Sequence, residues 1–170
     1  MKLALLSLIG LANSLIAGVY DHKIIKALDE STIQIEDGSV WQVLSGDLSK
    51  MGSFESTDLS FRADESWLSS SCACYFVNKE TGDKIGVKLI SAPIGYDQNS
   101  HWIAYIEQKK SILFLDNGSI FSLYDNDREY FKNWRIDDFV ITGDYHSWLS
   151  QSRHILFNYR TQEFIFGELH

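Results

Sequence analysis

The chain has 170 residues, 45% hydrophobic, 22% charged and 14% aromatic, with a formal charge of −8. That is enough apolar material for a packed core, and it excludes global disorder. An acidic chain with no basic cluster also excludes a nucleic-acid backbone or an anionic membrane surface as partner.

The chain opens with Met1-Lys2 and an apolar run from Leu3 to Ala17. One positive charge, a short apolar stretch and then Tyr20-Asp21-His22-Lys23 read as a secretory signal peptide, helical, over residues 1–18. The run is shorter than the ~20 residues of a membrane-spanning helix, and no later segment is apolar enough to span a bilayer. The expected location is therefore exported, periplasmic or secreted.

From residue 19 onward the sequence repeats itself. Ser31-Thr-Ile-Gln-Ile-Glu-Asp-Gly-Ser-Val-Trp-Gln-Val43 lies over Ser111-Ile-Leu-Phe-Leu-Asp-Asn-Gly-Ser-Ile-Phe-Ser-Leu123, eighty residues apart. At the same offset Phe54 meets Trp134, Asp58 meets Asp138 and Asp64 meets Asp144. The offset slips by one at Ser66-Trp67-Leu68-Ser69 over Ser147-Trp148-Leu149-Ser150. It returns to eighty at Asn78 and Asn158, Ile85 and Ile165, Leu89 and Leu169. The chain thus divides into a first β-repeat (19–90), a linker (91–100) holding the single proline, Pro93, and a second β-repeat (101–170).

Each copy reads as strands. Lys23–Leu28 and Trp102–Glu107 open them. Ile33 and Ile35 alternate with Gln34 and Glu36, the period of a half-buried strand. Asp37-Gly38 and Asn117-Gly118 are hairpin signals in which both turn residues are expected at φ > 0. Further strands are expected at 58–62, 72–78 and 84–90, with counterparts at 138–143, 153–159 and 162–169. The pattern predicts an all-β fold: two tandem copies of a small SH3-like barrel packed together, closure removing the exposed edges. One pseudo-twofold β-sandwich is the alternative. The inward set is Ile33, Ile35, Trp41, Val43, Leu59, Phe61, Ile85 and Leu89, with Leu113, Leu115, Phe121, Leu123, Phe139, Ile141, Ile165 and Leu169 opposite. Trp67 and Trp148 are expected to cap the open end of their units.

The pattern of acidic residue, Gly, Ser and aromatic, with a later aromatic and Asp before another strand, resembles tandem β-repeats of uncharacterised exported proteins of Gram-negative bacteria. The resemblance covers 24–90 and 103–169. It implies an envelope location and carries no activity with it.

Candidate chemistry is sparse. Cys72 and Cys74 share a strand face about 6.5–7 Å apart, at the outer limit for a disulfide, and two cysteines alone do not close a zinc site. Asp125, Asp127 and Glu129 alternate like a calcium loop but lack its glycine. His22, His101, His146, His154 and His170 are scattered, and no catalytic motif is present. No catalytic, cofactor or metal residue is assigned. Trp102 and Trp134 are the candidates for surface aromatics that contact a ligand. The expected function is that of an exported, non-catalytic envelope protein, binding or structural, whose partner is an envelope protein or glycan. A small hydrolase or a glycan-binding module is the alternative, and a polar cleft with His beside Ser or an acid would favour the enzyme.

Overall fold

The computed structural model describes residues 21–54, 58–64, 73–94, 99–124, 128–145 and 154–170. The signal-peptide reading, the segments of Trp67 and Trp148, Cys72, Asp125, Asp127 and His146 lie outside the described residues.

Copy 1 contributes β1 (Asp21–Ala27), β2 (Thr32–Ile35), β3 (Val40–Val43), β4 (Asp58–Asp64), β5 (Ala73–Asn78) and β6 (Lys84–Ser91). Copy 2 contributes β7 (Ser100–Glu107), β8 (Ile112–Leu115), β9 (Ile120–Leu123), β10 (Phe139–Asp144), β11 (His154–Asn158) and β12 (Glu163–Leu169). Each set closes on itself, in the orders β1-β2-β3-β6-β5-β4 and β7-β8-β9-β12-β11-β10. Every pairing is antiparallel. Two barrels side by side therefore replace the alternative of one shared sandwich.

The hairpins differ from the expected form in one detail. Gly38 N–H donates to Ile35 O at 2.9 Å, Ile35 N–H donates to Ser39 O at 3.1 Å, and only the glycine has positive φ, at +84°. Gly118 repeats this at +86°. The connection is a turn followed by a left-handed glycine, so Asp37 and Asn117 stay at negative φ. Their side chains instead accept from the backbone N–H two residues on, at 2.8 and 2.9 Å.

Each barrel is plugged between its third and fourth strands. In barrel 1 the 3₁₀ segment Ser45–Phe54 buries Phe54, with Leu48 and Met51 packed beside it. In barrel 2 a helical turn, Arg128–Phe131, and the residues after it bury Phe131 and Trp134.

Strand pairing shows where the copies are out of step. His22 pairs with Leu59 across β1 and β4, and His101 pairs with Val140 across β7 and β10. Phe61 pairs with Phe76, and Thr142 pairs with Leu156. The opening strands thus correspond at an offset of 79 residues, β4 and β10 at 81, and the other four pairs at 80. A one-residue slip turns every side chain to the opposite face. Val140, not Phe139 or Ile141, therefore faces the interior of barrel 2 and joins Leu113, Leu115, Phe121, Leu156 and Ile165 in its core. Phe139 and Ile141 are buried, but on the outside of their barrel. The rest of the expected inward set holds: the copy 1 residues are all buried, and Leu123 and Leu169 are partly buried against the barrel 2 core.

The outward residues of β10, β11 and β12 join the core of barrel 1. Ile141, Tyr145, Ile155, Phe157 and Phe166 belong to the same buried cluster as Trp41, Phe61 and Phe76. The Phe157 ring lies 6.0 Å from both the Trp41 and Phe61 rings. Gly143 makes the contact possible, since a Cβ there would stand 2.5 Å from Phe61 O. Hydrogen bonds surround the contact: Ser60 Oγ to Asp144 Oδ2 (3.0 Å), Ser100 Oγ to Asp37 Oδ2 (2.6 Å) and Asn99 Nδ2 to Asp21 O (3.1 Å). The linker is thus tied into the joint.

Candidate functional site

The copies share a backbone, so one can be read as a control for the other. On the outer face of barrel 1, Lys23 pairs with Asp58 across β1 and β4, and their side chains form an ion pair at 3.4 Å. At the same place in barrel 2, Trp102 pairs with Phe139, their rings T-shaped with centroids 4.6 Å apart. One step along the sheet, past a bulge in both copies, Lys26 opposes Gln34 in barrel 1. In barrel 2 that place holds Tyr105 opposite Phe114, with ring centroids 5.6 Å apart. Four polar positions in one copy are four aromatics in the other.

Magnitudes show that closure does not require the aromatics. A T-shaped pair contributes about 0.5–1.5 kcal/mol beyond burial, an exposed ion pair about 0.2–1 kcal/mol, and barrel 1 closes with the latter. Trp102 remains 39% exposed and Tyr105 51%. Asp116 borders the patch, its N–H bonded to Trp102 O at 3.0 Å, and Asn117 follows it in the exposed turn. The exposed rings of Trp102 and Tyr105, with the Tyr105 hydroxyl, form a surface with both stacking and hydrogen-bonding capacity.

Trp102 is therefore at the surface as expected, and Trp134 is not. Trp134 is 2% exposed, plugging barrel 2 where Phe54 plugs barrel 1, and its buried indole Nε1 has no hydrogen-bond partner among the described residues. Its polar neighbours Asn133 and Arg135 disguise the plug. The alignment of Trp134 with Phe54 is the signal that could have found it. Tyr105, Phe114 and Phe139 were missed as members of this outer face: the first two were not singled out, and Phe139, buried against Trp102, was assigned to the interior of the barrel by the unslipped register.

The structure also brings together histidine–acid pairs that the sequence hides. His22 and His101, 79 residues apart, occupy equivalent places. Each hydrogen-bonds the acid that follows the second strand of its copy, Glu36 at 2.9 Å and Asp116 at 3.0 Å. The second ring nitrogens differ. His22 Nε2 faces Thr142 O of barrel 2 at 3.4 Å, so both of its nitrogens face acceptors, and the protonated ring donates to both. His101 Nε2 meets the Asn117 amide nitrogen at 3.2 Å, whose orientation is set by Ser119 N–H on Oδ1, so Nε2 accepts. His22 is fully buried. Burial alone would lower its pKa, but the hydrogen bond and charge of Glu36, the charge of Asp37 and the Thr142 carbonyl hold it above the ordinary value. Both nitrogens being taken, His22 has none left to activate a nucleophile; it is part of the joint.

Barrel 2 has its own clamp. Arg160 Nε and Nη2 hold Asp138 at 2.5 and 2.7 Å, while Asn158 Nδ2 and Arg135 N–H donate to the same carboxylate at 2.8 Å. Burial pushes the Asp138 carboxyl up, but these donors outweigh it and its pKa lies below the ordinary value. Cys74 is buried in the wall of barrel 1. Glu129 pairs with Lys132 one turn on, at 2.6 Å. Among the described residues, no three His, Cys, Asp or Glu come together to hold a metal ion, and no helix is long and apolar enough to cross a membrane.

Comparison with family models, with characterised proteins and with solved structures finds no match to this chain.

Proposed function

We propose that this is an exported, non-catalytic binding protein of the bacterial envelope whose contact surface is the outer face of barrel 2, built on Trp102, Tyr105, Phe114 and Phe139. One observation carries the reading: barrel 1 places Lys23, Lys26, Gln34 and Asp58 at the same positions and closes without aromatics. The ligand that fits best is a neutral glycan chain. Sugar rings stack on aromatic faces, their hydroxyls can exchange hydrogen bonds with the exposed Tyr105 hydroxyl, and the charge of −8 disfavours polyanions. Export rests on the leader-like run of residues 1–18, and the envelope assignment on the resemblance to tandem β-repeats of exported proteins. The SH3-like kinship of the barrels belongs to the same proposal: small barrels that use one sheet face for contact.

Co-sedimentation with insoluble chitin, cellulose and peptidoglycan tests the reading. The mature chain should be retained by at least one, and Trp102→Lys/Tyr105→Lys should abolish retention. If none of the three retains it, the glycan reading fails, and cross-linking through this face to a protein would replace it.

A further inference from the structure

The same comparison of copies, made at the plugs, exposes a second site that does not depend on the aromatic face. A cleft of about 260 Å³ opens between β1 and the plug of barrel 1. Its walls are Ile24, Ala27, Ile33, Met51, Phe54 and Ile85, and Lys26 is the one charged residue among the described residues that line it. Ile33, Phe54 and Ile85 are core residues, so the cleft reaches the interior of the barrel. In barrel 2 the matching positions carry more bulk. Ile106 stands for Ala27, Phe131 for Met51 and Trp134 for Phe54, and all three pack into the core. Barrel 1 thus carries smaller side chains than barrel 2 on both walls of this region.

The chemistry of the walls selects the occupant. The cleft is open on one side, and apart from Lys26 the side chains of its described lining are apolar, so it suits the short apolar chain of an amphiphile with its head group towards solvent. Lys26 is exposed, and its ammonium is a compact point charge on a flexible stem. Lys26 repels the head group of an amphipathic cation, whereas a carboxylate meets its ammonium. We infer that barrel 1 binds a small amphipathic carboxylate, its apolar chain in the cleft and its head group on Lys26.

Calorimetric titration of the mature chain with octanoate, and with octan-1-ol as the neutral analogue, tests this. Octanoate should bind saturably at one site. Ala27→Ile, which copies Ile106, should weaken both ligands at least tenfold while leaving the melting temperature unchanged or higher. Lys26→Gln should weaken octanoate several-fold and leave octan-1-ol unchanged. Absence of saturable binding, or wild-type affinity in folded Ala27→Ile, overturns the site. Equal loss for both ligands, or no loss for either, in Lys26→Gln overturns the carboxylate assignment. Because Lys26 and Ala27 lie in the other barrel from Trp102, these outcomes are independent of the glycan test.

Discussion

Barrel 1 and barrel 2 show how much of a β-barrel can change without changing its closure. Their six strands pair in the same order, yet the inner layer is aromatic in one (Trp41, Phe61, Phe76) and mixed in the other (Phe121, Thr142, Leu156). The outer face is reversed, polar in barrel 1 and aromatic in barrel 2. The large aromatics of barrel 1 serve its core and receive Phe157 from the neighbour. On the face of barrel 2, Trp102 and Tyr105 remain open to solvent while Phe139 lies buried beneath Trp102. A residue that only one copy carries, at a place where the other copy closes without it, is a better functional candidate than any residue both share.

The comparison can be broken most forcefully at the core. Trp41→Ala should cost about 3–5 kcal/mol, as large-to-small core changes do. It should cost more than Phe121→Ala, because Trp41 also packs across the joint onto Phe157. Equal losses in urea unfolding would show that the joint contributes nothing through this ring.

A smaller effect is expected at Gly143. Its counterpart in barrel 1 is Arg62, so the barrel wall itself accepts a large side chain here. Gly143→Val should nevertheless cost about 1–3 kcal/mol, since its Cβ meets Phe61 backbone across the joint. Calorimetry should show the single transition broadening or splitting as the barrels uncouple; an unchanged sharp transition would mean that the close approach is dispensable.

The pH limits should also separate the barrels. The pKa of His22 is raised on folding, so its contribution is complete below the unfolded value of about 6.5 and is lost as pH rises through the folded value. The pKa of Asp138 is lowered, so its contribution is present above the unfolded value of about 3.9 and is lost as pH falls through the folded value. The stability gap between wild type and His22→Gln should therefore shrink towards alkaline pH, and that for Asp138→Asn towards acid pH. Urea midpoints across the pH range would show both limbs, and a gap independent of pH in either variant would contradict the assigned role.

The part of this fold legible in the sequence is the part set by local pattern. Ile33, Ile35, Trp41 and Val43 alternate, and the turn residues Gly38 and Gly118 punctuate them, so the strands and their burial follow from a few adjacent residues. The slips of β7 and β10 were not legible in that way. They depend on which residue of a distant strand each one faces, and aligned aspartates at Asp58 and Asp138 concealed them. The same cause hid most of the site: with β10 read one residue out of register, Phe139 pointed inward and its contact with Trp102 could not be seen. His22 and His101 were concealed too, because their offset of 79 residues is visible only through Glu36 and Asp116.

The smallest expected effect tests the central claim most directly. Trp102→Lys/Tyr105→Lys gives barrel 2 the residues that barrel 1 carries at Lys23 and Lys26. If the aromatics serve contact and not closure, each single replacement breaks one aromatic pair and should show in thermal unfolding a loss of no more than about 1.5 kcal/mol, or a few degrees for a chain of this size. A fall of ten degrees or more would place Trp102 and Tyr105 in the stability of barrel 2 and contradict the account.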